Sequence, residues 1–104
     1  MKEALSFIEQ HYSEDISIED ISSFCGLNRS YFSKVFRDTM GESPQGFLLH
    51  YRMARAAQLL TESRLPIRTI STMVSYPNQL HFSRAFKNVY GISPRDYRAK
   101  HFAL

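Results

Sequence analysis

The sequence predicts an all-α fold of about seven helices, with two similar subdomains, residues 1–43 and 63–104, joined by a long connector helix over 44–62. Three observations predict it. Apolar residues recur at helical spacing, and no strand is read anywhere. Proline and glycine fall between the helical stretches, not inside them. The stretch FSKVFRDTMGESP, Phe32 to Pro44, returns as FSRAFKNVYGISP, Phe82 to Pro94, with six of thirteen letters identical in place. Self-similarity at such a period marks a repeated structural unit.

The elements follow in order. MKEALSFIEQHY has Leu5, Ile8 and Tyr12 at helical spacing, so the first helix is expected over Lys2 to Tyr12. Ser17-Ile18-Glu19-Asp20 matches a capping box and opens a short helix, with Ile18, Ile21 and Phe24 expected inward and Gly26 as its stop. Asn28 caps a third helix that ends at Gly41. Ser43-Pro44 opens the connector, with the cap at serine and proline in the first turn. Its apolar residues, Phe47, Leu48, Tyr51, Ala54, Ala57, Leu59 and Leu60, spread over more than one face, so it is expected to be covered on several sides.

The pattern then restarts. Pro66 begins a short helix with Ile67, Ile70 and Met73 expected inward, offset by 49 from Ile18, Ile21 and Phe24. Asn78 caps the next helix, which ends at Gly91, and Ser93-Pro94 opens the last. The offset grows from 49 to 50 in the second turn, which therefore carries one extra residue around Tyr76-Pro77. Each unit is a short helix, a tight turn and a longer helix, the helix-turn-helix arrangement.

Composition bounds the function. With 104 residues, 43% of them hydrophobic, the chain is of ordinary globular make-up, enough for one domain or two very small ones. The opening reads as an acidic amphipathic helix and not a signal peptide. No apolar run approaches the roughly 20 residues that span a bilayer, so a cytoplasmic protein with no membrane partner is expected. Cys25 is the only cysteine, which excludes an internal disulfide, and its apolar neighbours suggest a buried structural thiol. His11, His50, His81 and His101 lack metal-ligand spacing, and no glycine-rich phosphate loop occurs, so no enzyme, cofactor or metal is expected. Charge is uneven: residues 1–20 hold six acids against Lys2 and residues 21–104 twelve cations against four acids, net −5 and +8. Such a basic body suits a polyanion.

The two longer helices, about 28–40 and 78–90, are the candidate recognition helices. Phe32, Val35, Phe36 and Met40 fall on one side of the first, and Arg29, Ser30, Ser33, Lys34 and Arg37 on the other. Phe82, Ala85, Phe86 and Val89 fall on one side of the second, and Gln79, Leu80, Ser83, Arg84 and Lys87 on the other, beside the cap Asn78. Both outward stripes read as free of acid. Arg and Lys donate to guanine, Gln pairs with adenine and Ser adapts to either, while cations further along meet phosphates, as expected of Arg37 and Lys87. Leu80 either touches a thymine methyl or packs on its own subdomain. Double-stranded DNA is the expected partner, in adjacent major-groove segments. The alternative is a helical protein-interaction module, which would show outward aromatics.

Over nearly its whole length the chain resembles the AraC/XylS family of bacterial transcription regulators. The resemblance rests on Phe82-Ser83-Arg84-Ala85-Phe86 and Gly91-Ile92-Ser93-Pro94-Arg95-Asp96-Tyr97-Arg98, together with the matching first unit. It implies a double helix-turn-helix that reads bases through Ser30, Ser33 and Lys34 in one unit and Gln79, Leu80, Ser83 and Arg84 in the other. It further implies contact with RNA polymerase. The domain is expected to be monomeric alone, with dimerisation of the full-length protein through an N-terminal domain. The first helix starts at the terminus, which favours an excised C-terminal domain over a stand-alone regulator. Ser22 and Ser71 stand where the family commonly has alanine at the helix crossing, and close packing is expected to survive. Ser75-Tyr76-Pro77 stands where the family has Gly-Phe. Serine reaches the left-handed backbone less readily than glycine, so a changed shape or strain is expected there.

Overall fold

The computed structural model describes residues 1–102. Its described residues form seven helices and no strand: α1 Lys2–His11, α2 Ile18–Phe24, α3 Arg29–Met40, α4 Pro44–Glu62, α5 Ile67–Met73, α6 Gln79–Tyr90 and α7 Pro94–His101. The chain separates into two compact units, Met1–Leu49 and His50–Leu104, divided inside the continuous helix α4.

Side-chain caps start most of these helices. Ser17 and Asp20 form the reciprocal box at α2: the Asp20 N–H donates to Ser17 Oγ at 3.0 Å and the Ser17 N–H donates to Asp20 Oδ2 at 2.8 Å. Asn28 Oδ1 accepts from the Tyr31 N–H at 2.9 Å and Asn78 Oδ1 from the His81 N–H at 3.1 Å, so α3 and α6 begin at the same register of the repeat. Ser43 and Ser93 Oγ each accept an N–H three residues on, at 3.1 Å, ahead of Pro44 and Pro94. Each bond satisfies a donor that the first helical turn would otherwise leave open.

In the first unit α1 buries Ala4 and Ile8, one turn apart, α2 buries Ile18 and Ile21, and α3 buries Phe32 and Phe36. The Phe36 ring meets Phe32 at 5.7 Å and Phe47 of α4 at 5.4 Å. In the second unit Phe86, fully buried, is surrounded by Phe82 at 5.9 Å, Tyr90 at 4.6 Å and Tyr97 of α7 at 5.3 Å. Arg98 ties α7 to the end of α4, donating from Nε to the Leu60 carbonyl at 3.0 Å and from Nη2 to that of Ser63 at 3.3 Å.

Four expectations about burial are corrected. Phe24 and Met73 are 59% and 39% exposed, not inward. Each step of three residues falls about 60° short of a full turn, so two steps carry the side chain off the face that Ile18 or Ile67 begins. Val74, seven residues after Ile67, returns to that face and is buried. In α4, Ala54 is exposed, and Met53 and Ala56 are buried in its place. The helix is covered on more than one side: buried Leu48 and Ala57, nine residues apart, lie opposite each other at about 100° per residue. Cys25 is half-buried rather than interior. Burial first, and then the negative charge of Glu3, push its thiol above the ordinary value.

The tight turns of the two units share one backbone path. After α2, the Leu27 N–H donates to the Ser22 carbonyl at 3.0 Å and the Gly26 N–H to that of Ser23 at 3.0 Å. After α5, the Tyr76 N–H donates to Ser71 at 2.9 Å and the Ser75 N–H to Thr72 at 3.0 Å. Both are Schellman closures, which need a left-handed residue just past the helix end. Gly26 supplies it at φ 72° and Ser75 at φ 68°. The serine therefore keeps the shape and carries the strain, and the extra residue of the second turn is Pro77, which follows the closure. Ser22 and Ser71 are both 1% exposed, so close packing survives. Their hydroxyls donate to the carbonyls of Glu19 and Tyr76.

Two outcomes are expected of substitutions here. Phe86→Ala should cost about 3–5 kcal/mol in urea unfolding, which is comparable to the whole stability of a small domain. Ser75→Gly should stabilise. Relief of left-handed strain, about 1–2 kcal/mol, outweighs glycine's added freedom in the unfolded chain. Calorimetry should show a midpoint rise of about 2–6 °C; a fall would mean that Ser75 is unstrained.

Candidate nucleic-acid interface

Burial of Phe32 and Phe36 at positions i and i+4 of α3 turns the opposite face of that helix outward. Arg29, Ser30, Lys34 and Arg37 are exposed there, and Ser33 is half-buried at the edge. Ser33, Lys34 and Arg37 border one shallow depression of about 260 Å³ together with Asp38. The sequence reading placed no acid on this stripe, and that is corrected. Asp38 lies one turn after Lys34 and accepts from its Nζ at 3.4 Å, with the two side chains 65% and 77% exposed. The i, i+4 spacing brings the carboxylate over the lysine.

In α6 Phe82 and Phe86 are buried at the same register. Gln79, Leu80, Arg84 and Lys87 are exposed, Ser83 is half-buried, and the cap Asn78 is exposed at the helix start. Leu80 is 57% exposed, so it does not pack on its own subdomain. No residue of α6 is acidic, and Asn88 stands where α3 has Asp38. α6 therefore presents two cations and no acid, where α3 presents three cations and one acid.

Every residue expected on a stripe is thus found on the outer half of its helix. The stripe residues of α3 come together within the first unit and those of α6 within the second. Two features escaped the sequence reading. One is Tyr31, 56% exposed, which stands on the first turn of α3 beside the stripe. The signal was present, because Tyr31 immediately precedes the first buried Phe and so is turned about 100° from it. The other feature is a pair of arginines, Arg68 and Arg95, on the wall of a cleft that Gln79 also lines.

The chemistry of the described residues is narrow. No group of three His, Cys, Asp or Glu side chains among them is placed to hold a metal ion. No helix among them is long and apolar enough to cross a membrane.

Residues 21–100 match the family described as "Helix-turn-helix domain". The chain is similar to the lactose operon transcription activator of Staphylococcus xylosus, 35% identical over 104 residues, covering 100% of this chain and 37% of that protein. It spans little more than a third of the length of the curated relatives at the head of the comparison, 38% and 37%. Among solved structures, the C-terminal domain of AraT, a response regulator from Geobacillus stearothermophilus, superposes with a TM-score of 0.95 at 34% identity, covering 99% of this chain and 86% of that one. A transcriptional regulator from Chromobacterium violaceum, described by its AraC-type DNA-binding domain, gives 0.89 at 31% identity and covers 96% and 89%. Seven helices in this order, two capped turns closed in the same way and an outward polar stripe on each longer helix accompany these matches: the chain belongs to the AraC/XylS family of helix-turn-helix DNA-binding domains.

Proposed function

We propose that the chain reads specific duplex sequences by setting α3 and α6 into adjacent major-groove segments. One observation carries the reading. Two helices at the same register of a repeat commit their aromatics to the core and present Arg29, Ser30, Ser33, Lys34 and Arg37 in one case and Gln79, Leu80, Ser83, Arg84 and Lys87 in the other. A major groove about 12 Å wide admits a helix, and these side chains match base edges by type. Arg84 and Lys34 are suited to guanine and Gln79 to adenine. Ser30, Ser33 and Ser83 adapt to either, and Leu80 offers a methyl contact to thymine. Arg29, Arg37, Lys87 and Asn78 are assigned to phosphates. The length of α4, 19 residues or about 28 Å, supports the adjacent-groove part, since neighbouring segments on one side of B-DNA lie about 34 Å apart.

In the whole protein, the same proposal makes this a transcription regulator acting in the cytoplasm, without catalytic activity of its own. It includes contact with RNA polymerase and dimerisation through a domain outside these residues. The name of the staphylococcal relative, a transcription activator, supports the first of these. Residues 1–43 and 63–104 are proposed as the two DNA-reading subdomains and 44–62 as their connector.

Exposed Tyr31 would also suit a protein dock. Binding to duplex that falls steeply with salt separates the two, because counterion release accompanies only the DNA complex.

Selection of bound duplexes from a random pool supplies the site for the decisive measurement. On that site Arg84→Ala should lose about 1–3 kcal/mol of binding and relax preference at one base position. Lys87→Ala should weaken all sequences alike and flatten the salt dependence by about one phosphate. Unchanged base preference in the Arg84 variant would remove that residue from the reading stripe.

A further inference from the structure

Lys34 lies midway between the buried Phe32 and Phe36, so it marks the midline of the outward face of α3. At about 100° per residue, Ser30 and Arg37 fall about 40° and 60° to one side of it, and Asp38 and Tyr31 about 40° and 60° to the other. Tyr31 is therefore nearer the midline than Ser33 or Arg29, which stand about 100° and 140° away. Its side chain is 56% exposed. Its backbone is fixed, because its N–H donates to Asn28 Oδ1 at 2.9 Å and the adjoining Phe32 is buried.

The two flanks of this face differ in chemistry. One carries a hydroxyl and the Arg37 guanidinium, which suit a phosphate. The other carries the Tyr31 ring and, two turns on, the Asp38 carboxylate, which lowers the positive potential there, weakly because it is largely in water. What Tyr31 offers on that flank is apolar surface. In α6 the midline residue is Arg84, between the buried Phe82 and Phe86. Leu80, 57% exposed, lies about 40° from it, on the side that Ser30 occupies in α3. His81 holds the place of Tyr31 at the offset of 50. Each outward face thus sets one large exposed apolar side chain near its midline, on opposite flanks and at adjacent positions of the repeat. The repeat itself does not dictate either of them.

We propose that Tyr31 is a specificity-determining residue of the first unit, whose ring packs on the C5 methyl of one thymine. Tyr31 lies outside Ser30, Ser33 and Lys34, the positions that the family resemblance gives for this helix. The inference rests on the reading of α3 as a recognition helix. The thymine methyl is the apolar group that a base pair presents in the major groove. It stands at the outer end of the base edge, toward its own strand. A side chain off the midline therefore meets it more readily than one on the midline.

The test uses a duplex selected by the wild-type chain from a random pool. Each thymine in turn is replaced by deoxyuridine, which removes the methyl and keeps the pairing. At one position the replacement should weaken wild-type binding about fourfold, the worth of one buried methyl. Tyr31→Ala should bind the unmodified duplex at least as weakly and show no penalty at that position. Tyr31→Phe, which keeps the ring, and Leu80→Ala, which alters the other helix, should both retain the penalty. Alanine has the highest helix propensity and the site is exposed, so the variant keeps α3, as circular dichroism will check. Identical penalties in wild type and Tyr31→Ala at every thymine overturn the proposal and leave the ring to a protein dock. Equal losses in Tyr31→Phe and Tyr31→Ala on all sequences overturn it in favour of a hydroxyl bond to phosphate. A penalty that also vanishes in Leu80→Ala overturns it as a general weakening. A wild-type chain that binds no duplex, or all duplexes alike, would instead overturn the reading of the stripes themselves.

Discussion

The rotation of α3 and of α6 about its own axis is set by two phenylalanines one turn apart. Phe32 and Phe36 in α3, and Phe82 and Phe86 in α6, are between 0 and 1% exposed. Burying a pair of rings at i and i+4 leaves a helix one low-energy orientation, because rotating it by even one residue would bring a ring into water at a cost of about 1.5–3 kcal/mol. The outward stripe is the geometric remainder of that burial. The outward side chains keep one direction only while those rings stay buried, so the core pairs fix where the cations point.

The second constraint is where each helix begins. The caps at Asn28 and Asn78 fix the first residue of α3 and α6, and the left-handed residues Gly26 and Ser75 fix the chain direction before them. In the second unit Pro77 lengthens the connection without disturbing the closure, because it falls after the two closing hydrogen bonds. A proline donates no N–H, and none of those closing bonds asks one of it. A serine at φ 68° is costly, yet the closure demands that conformation from whatever residue stands there.

Much of this was legible in the letters. The seven helices, their caps, the turn residues and the outward stripes follow from periodicity and from the chemistry of Ser, Asn, Gly and Pro at helix ends. What failed was finer. Phe24 and Met73 look apolar enough to be core, but a count by threes drifts about 60° per step and by its third residue has left the buried face. Asp38 was overlooked because it lies one turn beyond the stripe residue it reaches. The cleft around Arg68 and Arg95 needs three helices to converge, and no local pattern encodes that convergence. Which base each side chain meets is likewise a property of a complex, and the chain by itself carries only the donors and acceptors.

The Lys34–Asp38 pair gives the two outward stripes different electrostatics. A carboxylate beside Lys34 lowers the positive potential there and competes with any other acceptor for the ammonium, weakly because both side chains are largely in water. With Asn88 at the matching place, no carboxylate of α6 competes for its cations. An anion approaching α3 therefore meets opposite charges side by side, and one approaching α6 meets cations without a carboxylate among them.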